Sequence, residues 1–516
     1  MLQGRSLVGW SRAAGGEGTL HGYNAGTGER LEPAYGGATA EIMDRAANLA
    51  ASALPAYRAL PRRRRAEFLR AMATELEALG DALIERVVTE SALPEARLRG
   101  ELARTTGQLR FFAAIVEEGS WVDARIDSGD AGRKPLPKPD VRSMLRPLGP
   151  VAVFCASNFP LAFSVAGGDT ASALAAGNPV VVNAHFSHPG TAEMCGGAIV
   201  AAALKTGMPE GVFSLLFTVG REIGQALVAH PSIQAAAFTG SRKGGLALAA
   251  IAQARPEPVP FYAEMSSVNP VFILSHALGE RSDALAAGLH ASITAGVGQF
   301  CTNPGVIAAP AGAAGDRVVA ALAGKLAATP EAPMLNAGIF ENYAGKVAAR
   351  SADPRLRTLA CGKGSAPSLF EATVEAFLAE PDLGEEVFGP SSVLVRYGKF
   401  EEALAIAHTM EGNLTATIQM AAGDEGEAAG LVAALETRVG RIVFNGYPTG
   451  VEVCQAMVHG GPYPATSDGR TTSVGGRAIE RFARPVCYQD TPEGLLPEEL
   501  REGTTGVRRM VDGKYV

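Results

Sequence analysis

The stretch from Val151 to Val182 contains an apolar run, Val151-Ala-Val-Phe-Cys-Ala156, a helix-like segment, Ala162–Ala176, and a second apolar run, Pro179-Val-Val-Val182. Short apolar runs that flank a segment with helical spacing predict two buried strands joined by a helix. Parallel strands joined in this way are the building unit of a doubly wound sheet. This stretch therefore predicts an α/β fold.

The same alternation continues to about residue 265. Further strands are predicted at Val212–Phe217, Ile233–Phe238 and Val259–Ala263, and further helices at Thr191–Lys205, Glu222–Ala229 and Lys243–Gln253. A second, less regular alternating region extends from Val271 to about Phe444, with strands predicted at Val306–Ala308, Ser392–Arg396, Thr415–Gln419 and Ile442–Phe444. The chain is thus predicted to form two doubly wound parallel-sheet domains, with nucleotide binding at the carboxyl ends of the strands.

The segments on either side of these regions differ in composition. Residues 1–40 are rich in Gly and polar residues. Long helices are predicted after them at Ala40–Ala56, Arg62–Leu79, Gly80–Glu90 and Pro94–Glu118. An extended arm is predicted at Asp140–Leu145, and a second extended segment at Pro485–Gln489 in a tail that is otherwise mostly loop.

The composition excludes several classes of function. Apolar residues make up 47% and charged residues 19% of the 516 residues, which is enough to fill more than one packed core. The formal net charge of −7 argues against a nucleic-acid-binding or membrane-binding surface. The six cysteines are spread along the chain without CxxC spacing, so neither a metal site nor a disulfide framework is predicted, and a cytoplasmic protein is expected.

A cysteine that could act as a nucleophile lies in Ala295-Gly-Val-Gly-Gln-Phe-Cys301-Thr-Asn-Pro-Gly305. The run from Glu280 to Val297 is helix-like, so Cys301 is predicted to lie where a helix gives way to a loop. A thiolate at such a place can add to a carbonyl carbon. A buried structural cysteine is the alternative, and this window alone leaves both open.

Two polar residues at predicted strand ends could assist such a thiol. Asn158 follows the strand that ends near Ala156, and its side-chain amide could donate to a developing oxyanion. Glu264 follows the strand Val259–Ala263 and could serve as a general base. Each has a structural alternative, because Asn158 could form an Asx turn before Pro160 and Glu264 could cap the next segment.

The order of these motifs resembles that of the aldehyde dehydrogenase superfamily over nearly the whole chain. The matching pieces are Ser157-Asn-Phe-Pro160, Pro179-Val-Val-Val182, Phe238-Thr-Gly-Ser241, Glu264, Gly298-Gln-Phe-Cys301 and Glu385-Glu-Val-Phe-Gly-Pro390. The resemblance implies that Cys301 attacks an aldehyde to give a thiohemiacetal, whose oxyanion is stabilised by Asn158 and the Cys301 N–H. Hydride transfer to a nicotinamide ring then leaves a thioester, and Glu264 activates the water that hydrolyses it to the acid.

The resemblance also implies the coenzyme, NADP or NAD, and its contacts. The residues implied are Glu386 and Phe388 for the nicotinamide half, Thr239, Gly240 and Ser241 for the diphosphate, and Gly220 for the adenosine side. Two positions depart from the family pattern. Asn183 replaces a lysine that contacts the ribose or its 2′-phosphate, and Phe186 replaces a glutamate that repels this phosphate. Arg221 could supply a cation or be a solvated surface residue, and NADP is predicted as the preferred coenzyme, with NAD also used.

Longer motifs are similar to those of one subgroup, the 2-oxoglutarate semialdehyde (2,5-dioxopentanoate) dehydrogenases, whose relatives include a bacterial fatty aldehyde dehydrogenase. These motifs are Arg104–Arg110, Glu118–Asp123, Gly298–Gly305, Gly461–Asp468 and Arg481–Asp490. The predicted reaction is oxidation of 2,5-dioxopentanoate to 2-oxoglutarate, with a medium- or long-chain fatty aldehyde as the alternative substrate. A non-catalytic nucleotide-binding relative is disfavoured because Cys301, Asn158 and Glu264 are all present, and Glu264 also disfavours acyl transfer to coenzyme A.

The substrate tunnel is predicted to have an apolar wall made by Phe159, Phe163 and Phe300. A carboxylate on the substrate would need a cation or several hydrogen-bond donors. Other semialdehyde dehydrogenases often use an arginine at a position where this chain has Ala166. The remaining candidates are Arg104, Arg110 and Arg470, for each of which a structural role is the commoner alternative.

The resemblance implies a discontinuous cofactor domain formed by residues 1–127 and 148–265 and a catalytic domain at residues 266–460. Residues 128–147 and 461–516 would form an oligomerisation arm and a C-terminal tail. An arm with an unpaired strand edge can be completed by a neighbouring subunit. A homodimer or homotetramer is therefore predicted, with a small-molecule aldehyde as substrate and no nucleic-acid or membrane partner.

Overall fold

The computed structural model describes residues 2–16 and 18–516. Its strands form two seven-stranded sheets, a five-stranded sheet and a two-stranded hairpin. Helices connect the parallel strands of both large sheets, which confirms the predicted α/β class. None of the described helices is long and apolar enough to cross a membrane.

The helices and strands that the sequence predicts occur along the chain in the predicted order. The α-helices are α1 Ala40–Arg58, α2 Arg62–Ala78, α3 Gly80–Ser91, α4 Glu95–Glu118, α5 Gly168–Ala176, α6 Pro189–Lys205, α7 Glu222–Ala229, α8 Arg242–Ala254, α9 Ser275–Thr294, α10 Ala313–Ala327, α11 Ala337–Ala352, α12 Val374–Ala379, α13 Phe400–Thr409 and α14 Glu425–Leu435. The strands are β1 Ser6–Val8, β2 Ser11–Ala13, β3 Thr19–Tyr23, β4 Arg30–Gly36, β5 Arg125–Asp127, β6 Val141–Pro147, β7 Val151–Phe154, β8 Val180–Asn183, β9 Phe213–Leu216, β10 Ala235–Thr239, β11 Phe261–Glu264, β12 Val271–Ile273, β13 Val306–Pro310, β14 Leu356–Cys361, β15 Ser368–Thr373, β16 Ser391–Tyr397, β17 Asn413–Gln419, β18 Val439–Phe444, β19 Ala483–Gln489, β20 Met510–Val511 and β21 Lys514–Tyr515.

The first large sheet has the strand order β11-β10-β7-β8-β9-β1-β2. The five strands from β11 to β9 are parallel, and β1 and β2 add an antiparallel edge that the sequence does not predict. From β7 the chain proceeds to one side through β8 and β9, and then returns to the other side as β10. Such a reversal opens a crevice at the carboxyl ends of β7 and β10, where ligands bind in doubly wound sheets.

The second large sheet has the order β14-β15-β16-β13-β12-β17-β18, and only β14 is antiparallel to its neighbour. Its central strand β13 is buried at every position, as expected for a parallel strand covered on both faces. The chain passes from β11 of the first sheet to β12 of the second through residues 265–270 alone. The end of β11 therefore lies at the junction of the two sheets.

The five-stranded sheet, β19-β6-β5-β20-β21, contains both segments that were predicted to be extended. Strands β19 and β6 pair antiparallel from Ala483 opposite Pro147 to Gln489 opposite Val141. Because β19 is the last strand on its side, one of its edges is unpaired within the part of the chain that the structure describes. The division into a cofactor domain, a catalytic domain and an arm stays a prediction.

Candidate active site

A cleft of about 1230 Å³ lies where the strands of the two large sheets end. Its lining includes most of the residues that the sequence predicts to be functional: Asn158, Arg221, Thr239, Gly240, Ser241, Glu264, Cys301, Glu386 and Phe388. These residues are far apart in the chain and meet because the carboxyl ends of parallel strands share one edge of a sheet. The cleft is larger than most small-ligand pockets and has room for a dinucleotide and a small substrate.

Cys301 lies in a tight turn that follows helix α9. Gly298 has a φ of 65°, and a Cβ there would lie 2.3 Å from the backbone of Gly389, so this turn requires glycine. The side-chain amide of buried Asn269 donates to the carbonyl oxygens of Cys301 and Asn303, both at 2.9 Å. These contacts hold the backbone on both sides of the thiol, so the turn keeps its shape independently of the sulfur.

Asn158 lies in a loop that helix α4 holds in place. The Arg97 guanidinium donates to the Asn158 carbonyl at 2.9 Å, and Glu101 Oε1 accepts the N–H groups of Leu161 and Ala162 at 2.8 and 3.0 Å. Because Glu101 binds these N–H groups in a loop, α5 begins only at Gly168, whereas the sequence predicts a helix from Ala162.

The amide group of Asn158 is already directed toward the Cys301 turn. Asn158 Nδ2 donates to the Gln299 carbonyl at 3.0 Å. A primary amide carries two N–H groups, so one remains for another acceptor. Since Asn158 also lines the cleft, this second N–H can stabilise an oxyanion that forms beside Cys301.

Glu264 ends strand β11 and is buried. Its Oε1 accepts a hydrogen bond from the Ser473 hydroxyl at 2.6 Å, and its Oε2 has no partner among the described residues. Burial raises the pKa of Glu264 to about 8, and the Ser473 hydrogen bond opposes this shift. The carboxylate form of such a group grows as the pH rises through about 8, and in that form it can take a proton from water as a general base.

A histidine that the sequence analysis missed lies between these two groups. His459 Nε2 is 3.6 Å from Cys301 Sγ and 3.4 Å from Glu264 Oε1. Burial lowers the pKa of His459 to about 3, so its imidazole is neutral at physiological pH. Burial also raises the pKa of the Cys301 thiol, and an imidazole with so low a pKa is too weak a base to deprotonate it, so His459 contacts the thiol without serving as its base.

The only signal for His459 in the sequence is its position two residues before the Gly461–Asp468 motif. The tertiary structure brings it to Cys301 because residues 465–467 pair with the end of β11. The Met265 N–H donates to the Ala465 carbonyl at 2.8 Å, and the Ser467 N–H donates to the Ala263 carbonyl at 3.1 Å. The tail thus adds a fourth polar side chain to the predicted three.

The other half of the cleft fits a nicotinamide dinucleotide. Ser241 caps helix α8 by accepting the Gly244 N–H at 3.2 Å, and the free N–H groups of this first turn can bind a diphosphate. A Cβ on Gly240 would lie 2.7 Å from the Phe238 ring, so the absence of a side chain leaves the backbone accessible. Burial raises the pKa of Glu386 to about 7, and ribose hydroxyls are suitable partners for this carboxyl group.

The part of the cleft that the family resemblance assigns to adenosine contains an exposed cation, Arg221, but no lysine at position 183. Asn183 Oδ1 accepts a hydrogen bond from the Thr218 hydroxyl at 2.9 Å. Gly220 lies two residues after Thr218 in the chain and has a φ of 75°. Phe186 is 53% exposed and lines the cleft, as does the exposed Arg221. The side chain at position 186 is an uncharged phenylalanine, so it does not repel a phosphate that binds beside it.

The predicted aromatic wall forms as a cluster. The ring centre of Phe159 lies 5.3 Å from those of Phe163 and Phe300. The ring of Phe163 also lies 6.1 Å from the ring of His459, which places the cluster next to the thiol. An aldehyde chain that approaches Cys301 along these rings would contact an apolar surface.

Two of the predicted tunnel residues do not reach this cluster, which corrects their assignment. Arg110 lies on the exposed face of α4 and forms a two-pronged ion pair with Glu77, at 2.5 and 2.7 Å. Arg470 is 90% exposed and pairs with Asp468 at 3.0 Å. In both cases a neighbouring carboxylate already occupies the guanidinium at the surface.

Comparison with known proteins agrees with this geometry. The model of the aldehyde dehydrogenase family matches residues 12–473. The chain is 52% identical over 521 residues to alpha-ketoglutaric semialdehyde dehydrogenase 2 of Azospirillum brasilense, covering 99% of each protein. It is 44% identical over 518 residues to alpha-ketoglutaric semialdehyde dehydrogenase of Acinetobacter baylyi, covering 99% of this chain and 98% of the relative.

Solved structures show the same fold at low sequence identity. The crystal structure of aldehyde dehydrogenase 21 from Physcomitrella patens, in complex with the reaction product succinate, has a TM-score of 0.79 at 21% identity, covering 95% of this chain and 99% of that one. A 1-pyrroline-5-carboxylate dehydrogenase from Thermus with bound NAD has a TM-score of 0.78 at 20% identity, covering 94% and 92%.

Proposed function

This chain belongs to the aldehyde dehydrogenase family, and we propose that it oxidises 2-oxoglutarate semialdehyde (2,5-dioxopentanoate) to 2-oxoglutarate. The observation that carries the proposal is the meeting of Cys301, Asn158 and Glu264 in one cleft. Two relatives at 52% and 44% identity that carry the name of this activity support the choice of substrate.

In the proposed first half-reaction, Cys301 Sγ loses its proton to solvent and adds to the aldehyde carbon. The second N–H of Asn158 binds the oxygen of the resulting thiohemiacetal, so negative charge develops where a donor is already in place. A nicotinamide coenzyme, when bound, would supply the two-electron acceptor that the oxidation of this adduct to a thioester requires. Glu386 and Phe388 would hold the nicotinamide half of the coenzyme.

In the second half-reaction, Glu264 takes a proton from water, and the hydroxide oxygen attacks the thioester carbon. The Ser473 hydroxyl keeps Glu264 Oε1 in place, while Oε2 remains available for the water. The C–S bond then breaks, the acid leaves, and the Cys301 sulfur takes a proton back. An acid is thus released at every turnover without an external acyl acceptor.

The substrate is tested by comparing kcat/KM for 2,5-dioxopentanoate with kcat/KM for pentanal and hexanal. We expect the dioxo acid to be preferred by at least about 100-fold, because binding a charged group through charge-assisted hydrogen bonds contributes about 3 kcal/mol. A preference for the uncharged aldehydes that grows with chain length would instead identify a fatty aldehyde dehydrogenase.

For the coenzyme we propose NADP as the preferred dinucleotide, with NAD also accepted. Arg221 offers a cation at the adenosine end, and Phe186 lacks the negative charge that would repel a 2′-phosphate. We expect Arg221→Ala to raise the KM for NADP about tenfold, with little change for NAD. Asn183→Lys should have the opposite effect and lower the KM for NADP. Equal effects on both dinucleotides would show that neither residue senses the phosphate.

The oligomeric state and the cytoplasmic location stay predictions. The unpaired edge of β19 supports a homodimer or homotetramer, because a neighbouring subunit can complete such an edge. Light scattering measures this directly, and a mass of 53.3 kDa in solution would contradict it. The six free cysteines are compatible with the predicted cytoplasmic location.

A further inference from the structure

We propose that Arg104 binds the carboxylate of the aldehyde substrate; this inference rests on the function proposed above. Helix α4 carries Arg97, Glu101 and Arg104 at spacings of four and three residues, which places them on one face of the helix. This face is directed at the Asn158 loop, since Arg97 and Glu101 both bond to it. Arg104 therefore points toward the substrate side of the thiol.

Two other arginines near the thiol already have partners. Arg97 donates to the Asn158 carbonyl, and its guanidinium carbon lies 5.1 and 4.6 Å from the ring centres of Phe159 and Phe300. Arg441 donates through Nη1 and Nη2 to the carbonyls of Gly450 and Pro448, at 3.0 and 2.7 Å. Removing either arginine would leave backbone carbonyls without a donor, so both have a structural role.

Arg104 differs from these two. No hydrogen bond or ion pair from its guanidinium to a described residue is seen, and its Nη1 is buried. Arg97 Nη1 and Arg441 Nε are also buried without a partner, but each of those two side chains is held through another of its nitrogens. A buried donor without a partner costs free energy, so an acceptor that arrives with a ligand would be strongly favoured. The guanidinium carbon lies 5.2 Å from the ring centre of Phe163, whose ring neighbours His459. A contiguous series of contacts thus connects Arg104 to the thiol.

The charges on this face of α4 leave a positive excess. Glu101 is the single carboxylate between two guanidinium groups, and its Oε1 is used by the N–H groups of Leu161 and Ala162. Burial lowers the pKa of Arg104, and negative charge on Glu101, Cys301, Glu452 or Glu264 opposes this shift. The thiol is therefore within electrostatic reach of Arg104, and an anionic substrate would balance the excess charge.

The inference requires the carboxylate of the substrate to reach Arg104 while its aldehyde carbon lies at Cys301. In 2,5-dioxopentanoate four carbon–carbon bonds separate the aldehyde carbon from the carboxylate carbon, a reach of about 5 Å when the chain is extended. The methylene groups would then lie along Phe163, and the carboxylate would meet Arg104. An uncharged aldehyde of the same length would make the apolar contacts but would leave Arg104 Nη1 without a partner.

The test is the selectivity of Arg104→Met and Arg104→Lys toward three aldehydes of equal length: 2,5-dioxopentanoate, 5-oxopentanoate and pentanal. We expect Arg104→Met to lower kcat/KM for both acids roughly 100-fold, mainly through KM, with a change of less than about threefold for pentanal. Arg104→Lys keeps the charge but not the planar donor pair, so its loss should be smaller. Competitive inhibition by 2-oxoglutarate should weaken in the same order.

The matched control is Arg110→Met, on the same helix but on its exposed face, which should leave all three aldehydes unchanged. If Arg104→Met slows the acids and pentanal equally, Arg104 acts on the thiol or the loop, and this inference is wrong while the proposed function stands. If the parent enzyme shows no preference for the acids, the proposed substrate is wrong, and with it the need for a carboxylate partner. Melting temperatures within a few degrees of the parent would show that the variants fold.

Discussion

Cys301→Ala is expected to reduce aldehyde oxidation at least about 1000-fold, because no other group in the cleft can form the thiohemiacetal. Dinucleotide binding should remain within about twofold of the parent. The Asn269 side chain holds the turn through the backbone carbonyl of residue 301, so the substitution to alanine leaves this contact unchanged. Steady-state formation of reduced coenzyme measures the first effect, and a fluorescence titration measures the second.

The matched control for this variant is Cys361→Ala. Cys361 is an exposed free cysteine on β14, an edge strand of the second large sheet, and its replacement should leave turnover unchanged. Turnover of Cys301→Ala above a few per cent of the parent would show that Cys301 is not the nucleophile. A parallel loss of coenzyme binding would indicate that the whole cleft had changed.

Glu264→Gln is expected to separate the two half-reactions. Glutamine cannot take a proton from water, so the thioester should accumulate after one round of oxidation. Rapid mixing should therefore show a burst of reduced coenzyme close to one equivalent per active site, followed by turnover slowed at least about 100-fold. Glu436→Gln, at an exposed position directly after the C-terminal end of α14, serves as a matched control and should show normal turnover.

The pH dependence gives a second measure of the same role. Because burial raises the pKa of Glu264 to about 8, its carboxylate form is scarce at pH 6 and grows as the pH rises through 8. Deacylation should accordingly increase about tenfold per pH unit below that value and level off above it. In Glu264→Gln this pH dependence should disappear. Loss of the burst itself would mean that Glu264 acts on Cys301 rather than on water.

The sequence alone determined the parts of this protein that are encoded in contiguous stretches. Buried parallel strands are short apolar runs, so β7 to β11 and the helices between them are evident from local patterns. Asn158, Glu264 and Thr239 each follow or end such a strand, and the topology of a doubly wound sheet brings strand ends together. For this reason an amide and a carboxylate at one edge of the sheet were predictable from local patterns, whereas the thiol, which follows a helix, was joined to them by the family resemblance.

The exposed and edge strands were less evident, because their patterns are weaker. The hairpin β3–β4 surrounds the segment Asn24–Glu29, and neither strand is a continuous apolar run. The antiparallel strand β14 has a mixed burial pattern for the same reason. A strand that is half exposed or at an edge needs fewer apolar residues, so its neighbours rather than its own sequence define it.

Only the tertiary structure decided which side chains surround the reacting atoms. His459 is 158 residues from Cys301 in sequence and reaches it because the tail pairs with the end of β11. Arg104 and Arg110 are six residues apart (110 − 104), which rotates a helix by about 240°. Helical spacing shows that they lie on different faces, but only the packing of α4 against the Asn158 loop shows which face is directed at the thiol. Long-range contacts of this kind leave no local pattern, since a residue's partner across the fold does not change its neighbours in sequence.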